Sequence, residues 1–93
     1  MTYLGKEWKI IVGSQPGQPT VSPDITQALT HMGIEGATVS YASGLYKGKV
    51  EQSIVVLLSG FPESHIFLVA ERLRDQFNQE TVYVSDGRDA YLI

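Results

Sequence analysis

Ala37 to Ser59 reads ATVSYASGLYKGKVEQSIVVLLS, two strand-like runs flanking Tyr46-Lys47-Gly48-Lys49, and the architecture of the chain follows from it. In the first run Val39, Tyr41 and Leu45 share one parity while Thr38, Ser40 and Ala42 share the other, the period of a half-buried strand ending near Tyr46. Gly44 marks a candidate bulge or twist in it. Lys47-Gly48 suits a hairpin turn, because glycine enters the positive φ region that two-residue turns require. The second run, Lys49 to Ser59, contains the apolar block Ile54-Val55-Val56-Leu57-Leu58. Such a block has no alternating solvent face, so it predicts a central strand buried on both sides, whose second face needs a cover.

On the N-terminal side, Glu7 to Ser14 alternates Trp8, Ile10 and Val12 against Lys9 and Ile11, which predicts a first strand. Gln15-Pro16-Gly17-Gln18-Pro19 then breaks regular structure and predicts an exposed loop. Ser22-Pro23-Asp24 combines a capping hydroxyl, a first-turn proline and an acidic group at the positive end of the helix dipole. Ile25, Ala28, Leu29 and Met32 follow at helical spacing, and Gly33 and Ile34 suit a left-handed end with an apolar residue folding back on the last turn. Beyond Gly60-Phe61-Pro62-Glu63, the stripe Ile66, Val69, Ala70, Leu73 and Phe77 predicts a second helix to about Asn78. Thr81 to Ser85 is strand-like, Asp86-Gly87 is a turn signal, and Tyr91-Leu92-Ile93 is a short apolar end suited to one more edge strand.

This order, strand, helix, hairpin, helix, strand, predicts an α+β fold of the ferredoxin-like βαββαβ kind, a four-stranded antiparallel sheet with two helices on one face. At 93 residues, 43% hydrophobic and 18% charged, the chain makes a single domain over 1–93. Trp8, Ile10, Val12, Val39, Tyr41, Ile54, Val56, Leu58, Val82 and Val84 are expected toward the helices, and Ile11, Ala42, Val55, Leu57 and Tyr83 away from them, exposed in a lone subunit. Burying a side chain such as Val55 or Leu57 is worth about 1.5 to 3 kcal/mol, large beside the roughly 5 to 15 kcal/mol stability of a small domain. Those five residues are therefore the expected interface of a homodimer or trimer, unless the Gln15 to Val21 loop or the C-terminal segment covers the face.

Composition narrows function by exclusion. Seven Lys and Arg against ten Asp and Glu give a net charge of −3, which supplies no attracting field for nucleic acid. Absent cysteine removes disulfides, thiolate chemistry and cysteine-ligated zinc, and suits a cytoplasmic protein. No targeting signal or membrane-spanning run is legible, so no membrane partner is expected. The two histidines, His31 and His65, lie on different predicted helices without ligand spacing. Glu80, Asp86 and Asp89 cluster near the C-terminus but do not follow a calcium-loop order, and turn and helix-exit roles explain them better. No metal, cofactor or catalytic residue is assigned. An RNA-recognition module would carry stacking aromatics on the central strand, which Lys49 to Ser59 lacks, and an acylphosphatase-like anion loop is replaced by Gly13-Ser14-Gln15-Pro16-Gly17.

Three resemblances add to this. Gly33-Ile34-Glu35-Gly36-Ala37-Thr38-Val39 resembles the helix-to-strand passage of PII-like signalling proteins, and Tyr46-Lys47-Gly48-Lys49-Val50-Glu51 with the apolar strand after it is similar to their CutA-like branch. Gly44-Leu45-Tyr46-Lys47-Gly48, Ile54 to Leu58 and Phe77-Asn78-Gln79-Glu80-Thr81-Val82 together resemble an uncharacterised family of small bacterial and phage proteins. PII-like kinship implies nucleotide binding between the subunits of a trimer. The connection between the second and third strands is only about two residues here, however, which removes the long regulatory loop of that group. The expectation is a non-enzymatic protein-binding module, an adaptor or inhibitor of the kind a phage encodes, that self-associates through its sheet and binds another protein. The alternative is a small-ligand or nucleotide sensor with a pocket at a subunit junction, its ligand or partner loop drawing on Gln15, Gln18, Lys47 and Lys49.

Overall fold

A computed structural model of the chain describes residues 1–13 and 22–93. Its elements run β1 (Glu7–Gly13), α1 (Ser22–His31), β2 (Thr38–Tyr46), β3 (Lys49–Ser59), α2 (Glu63–Gln76), β4 (Tyr83–Ser85) and β5 (Ala90–Leu92). The strands form one antiparallel sheet in the order β2-β3-β1-β4-β5. The fold is thus α+β with two helices, but the sheet has five strands where four are expected from the βαββαβ order. The fifth exists because Asp86 reverses the chain at once after β4. Its Oδ1 accepts the amides of Arg88 at 2.9 Å and Asp89 at 2.8 Å, and Val82 and Ile93 then exchange backbone bonds of 2.9 and 3.0 Å.

Alternation along the strands builds the core. Trp8, Ile10 and Val12 of β1, Ile54, Val56 and Leu58 of β3, and Val82 and Val84 are buried against Ile25, Ala28 and Leu29 of α1 and Ile66, Val69, Ala70 and Leu73 of α2. Trp8 also meets Phe67 edge to face at 6.0 Å, and Phe67 meets Tyr91 at 5.1 Å, so α2 is clamped between the sheet centre and β5.

Both helices end as their residues dictate. Gly33, with φ +80°, donates to the Thr30 carbonyl at 3.0 Å while Ile34 donates to Leu29 at 3.0 Å, the paired bonds of a left-handed helix end, and Ile34 folds back into the core. A Cβ on Gly33 would touch nothing within 4 Å, so Gly33→Ala tests backbone conformation alone. It should lower unfolding free energy by about 1 kcal/mol in a denaturant melt, with Gly36→Ala, equally free of contacts, near neutral. Equal effects at the two sites would refute the left-handed-end explanation. The second helix stops at Gln76, short of the expected Asn78, because Asn78 takes φ +52° and the amides of Asn78 and Gln79 turn back to the Asp75 and Arg74 carbonyls at 3.3 and 2.8 Å.

The β2–β3 hairpin turns through Lys47 (φ +50°) and Gly48 (φ +75°), both left-handed, as a tight two-residue turn requires. Its register runs unbroken from Thr38 opposite Leu57 to Tyr46 opposite Lys49, so Gly44 makes no bulge. Glycine is needed there because a Cβ would stand 2.8 Å from Ser53 Oγ across the ladder. Tyr41 has the parity expected of a core residue yet is 55% exposed, since the hairpin runs on past the helices and nothing among the described residues covers its tip. Conversely Val55, Leu57 and Ile11, expected to be exposed, are half-buried, because side chains on neighbouring strands pack beside them.

Asp86 carries the fold's clearest pH dependence. Two backbone amide bonds, aided by Lys6 Nζ at 3.2 Å, lower its pKa from 3.8 to about 2. A depressed carboxylate pKa contributes stability above the unfolded value that is lost as protons bind, here between about pH 4 and pH 2. Asp86→Asn keeps an acceptor for the amides but not the charge. The melting temperatures of wild type and variant should therefore differ at neutral pH and converge as pH falls to about 2; a gap independent of pH would show that the charge is not what matters.

Candidate functional site

The sheet face turned away from the helices carries a notch floored by small residues. Gly13 of β1 stands opposite Ser53 of β3, Ser53 stands opposite Ala42 of β2, and Gly44 stands opposite Glu51. This patch is low because Gly13 and Gly44 have no side chains and Ser53 is buried at 5% exposure. Two longer side chains fill the space above Gly13: a Cβ there would lie 2.9 Å from Glu51 Oε1 and 3.1 Å from Gln79 Oε1. Glu51 reaches this point from β3. Gln79 reaches it because the left-handed end of α2 directs the chain back over β1, and its Nε2 donates to the Phe77 carbonyl at 3.2 Å, which leaves Oε1 toward the notch.

Beside this polar end lies an apolar platform. Val55 stands opposite Ile11, Ile11 opposite Tyr83, and Tyr83 opposite Leu92, a single cross-strand row of same-face side chains. Leu57 belongs to the adjacent row, opposite Lys9. Thus the structure brings together Ile11, Val55, Leu57 and Tyr83, with Ala42 on the floor of the notch, all five on the face expected for them. Of the loop residues, Lys47 and Lys49 stand apart from this group. Lys47 lies in the hairpin turn over the Tyr46 ring at 5.3 Å, Lys49 lies toward the tip on the same face as Glu51, and Gln15 and Gln18 fall outside the described residues.

Glu51, Ser53, Gln79, Gly13 and Gly44 escape a reading of the sequence for functional residues. A signal exists for four of them. The two-residue turn sets the β2–β3 register, which places Glu51 opposite Gly44 and Ser53 opposite Ala42, and alternation along β1 puts Gly13 on the face opposite Trp8, which is theirs. For Gln79 there is none, since its position depends on how α2 ends.

Chemically, the arrangement offers a carboxylate and an amide oxygen converging on one point, with a buried hydroxyl in the floor and an aromatic and aliphatic platform alongside. Two acceptors and a negative charge suit a cationic group, and the platform suits a flat apolar one. Among the described residues no three His, Asp or Glu side chains gather as metal ligands, and no helix is long and apolar enough to cross a membrane.

No protein-family model matches the chain, and no curated sequence matches it. Among solved structures it is similar to a phage SAM lyase in its apo state, with a TM-score of 0.71 and 22% identity over 97% of this chain and 89% of that one. This corrects the functional expectation. A non-enzymatic binding module conflicts with a fold shared almost end to end with an enzyme, and the reason for excluding catalysis, the absence of a familiar motif, is not a reason for this fold.

Proposed function

We propose that this chain is a small phage-type enzyme that cleaves S-adenosylmethionine, with the notch at Glu51 as its reaction site. The observation that carries the reading is the match in fold to a SAM lyase along 97% of the chain, coupled with a carboxylate at the end of an apolar, aromatic platform. The strand order β4-β1-β3-β2 within the sheet fits a ferredoxin-like core, with β5 as an added edge. Such an enzyme would work in the cytoplasm, where this substrate is made.

The chemistry suits a site without a placed histidine. A sulfonium leaves as a neutral thioether, taking the carbon–sulfur electron pair, so no general acid need protonate it. As that bond breaks the carbon is closed without water, either by loss of a neighbouring proton to a base, which forms a carbon–carbon double bond, or by attack of the substrate's own carboxylate, which forms a lactone. Glu51 supplies the negative charge that receives the sulfonium, Gln79 Oε1 and the Ser53 hydroxyl are within the same notch to orient polar groups, and Tyr83 with Ile11 and Val55 offers a surface for the purine.

The test is to incubate the purified protein with S-adenosylmethionine and follow its loss and the appearance of an adenosine thioether by chromatography. A thermal melt should shift upward with rising substrate, following the logarithm of its concentration above Kd. The absence of both turnover and a thermal shift at millimolar substrate would refute the reading.

A further inference from the structure

We propose that Lys49 receives the α-carboxylate of the substrate's methionine portion, and so makes this chain selective for sulfonium compounds that are also amino acids. The inference rests on the S-adenosylmethionine reading and extends it to a further residue. Three features of the outer end of the notch lead there. First, Lys49 and Glu51 are neighbours on the sheet face turned away from the helices, two residues apart along β3 and so about 7 Å between Cα atoms. Each has a partner on β2 that shares this face, Tyr46 opposite Lys49 and Gly44 opposite Glu51.

Second, these two charges do not neutralise each other. The ion pairs among the described residues join Lys6 to Asp86 and Arg74 to Asp75, so the exposed Lys49 ammonium is bound to no carboxylate among them. Glu51 turns across the sheet instead, its Oε1 standing 2.9 Å from where a Cβ of Gly13 would lie, on the side of β1 rather than of the turn. The strip between is therefore negative at its inner end and positive at the tip, where Lys47 adds a second ammonium 5.3 Å from the centre of the Tyr46 ring. An uncommitted ammonium beside a site is a ready partner for a carboxylate.

Third, the floor of this strip is bare. Gly44 has no side chain, and a Cβ on it would lie 2.8 Å from Ser53 Oγ and 4.0 Å from Glu51 Cγ. A short chain with opposite charges at its ends fits such a strip in one direction, its cation at Glu51 and its anion at Lys49. In S-adenosylmethionine those ends are the sulfonium and the α-carboxylate, and the adenosyl group hangs from the sulfur. Along β3 the face presents Lys49, Glu51 and Val55 in that order, with Ile11 and Tyr83 beside Val55. Carboxylate, sulfonium and purine follow one another in the same order along the substrate, so one placement satisfies all three.

Two ligands that each lack one charge separate the roles, titrated calorimetrically into the purified chain alongside cleavage assays. S-adenosylhomocysteine keeps the carboxylate but has a neutral thioether, whereas decarboxylated S-adenosylmethionine keeps the sulfonium and lacks the carboxylate. Lys49→Met removes the charge and keeps most of the side chain's length. It should weaken S-adenosylhomocysteine by about 10-fold, raise the KM for S-adenosylmethionine by a similar factor, and leave the decarboxylated ligand unchanged. Lys49→Arg, which restores the charge, should bring the carboxylate-bearing ligands back to within about 3-fold of wild type. Glu51→Gln should do the reverse of Lys49→Met and weaken only the decarboxylated ligand of the two. A wild type that neither cleaves nor binds S-adenosylmethionine removes the reading of the site and this inference with it. A wild type that cleaves it, while Lys49→Met keeps the wild-type KM or loses both ligands alike, overturns the role of Lys49 alone.

Discussion

Glu51→Gln is expected to reduce S-adenosylmethionine cleavage at limiting substrate by at least about 10-fold while leaving the fold intact, in keeping with the loss of the charged partner that holds the sulfonium. The substitution is nearly isosteric, so the side chain can still lie above Gly13, where the carboxylate oxygen stands 2.9 Å from the position a Cβ would take. What disappears is the charge. A sulfonium substrate loses its positive charge as the thioether departs, so Glu51 contributes to holding the substrate and to aligning the bond that breaks. The loss of its charge should therefore appear chiefly as a raised KM. Gly13→Val is the companion test, because its side chain would fill the notch and displace Glu51 and Gln79 without altering any charge. Turnover by Glu51→Gln at the wild-type rate, with unchanged KM, would remove Glu51 from the reaction.

Trp8→Ala should destabilise the protein by about 3 to 5 kcal/mol, the cost of deleting a large aromatic from a packed interior. Trp8 is 1% exposed on the central strand β1, meets Phe67 of α2 edge to face, and lies under Lys6, whose Nζ is 5.9 Å from the ring. Removing it opens a cavity beneath α2 and frees Phe67 from one of its two aromatic neighbours, which loosens the contact to Tyr91 and β5. Against the roughly 5 to 15 kcal/mol available to a domain of this size, the variant should melt far below the wild type or fail to fold at ambient temperature. Trp8→Phe, which keeps most of the volume, should recover over half of the loss. A Trp8→Ala protein within about 1 kcal/mol of wild type in a denaturant titration would contradict the packing described for the core.

Much of the architecture is local chemistry and is legible in the residues. The helix stripes, the left-handed ending at Gly33-Ile34, the Lys47-Gly48 turn and the alternation of Trp8, Ile10 and Val12 each depend on neighbours within a few positions, and each is found in the structure. Where expectation and structure part, long-range placement is responsible. Tyr41 has a core parity and an exposed side chain because the hairpin outruns the helices, a fact about the relative lengths of elements distant in sequence. Periodicity makes Val55 and Leu57 exposed on one face, yet strands on either side shelter them. The candidate site is an extreme case. Glu51 and Gln79 are far apart in the chain and meet only because β3 lies beside β1 and α2 ends in a left-handed turn above it.

Element order, the two helix faces and the register of the β2–β3 hairpin are written in the residues themselves, because periodicity, caps and turn residues act over one or two turns of chain. Two features had to await the folded chain: the hairpin that stands clear of the helices, and the convergence of a carboxylate and an amide over Gly13. Those outcomes depend on which strands become neighbours and how far each element reaches, and burying the apolar faces of distant segments against one another is what selects that arrangement.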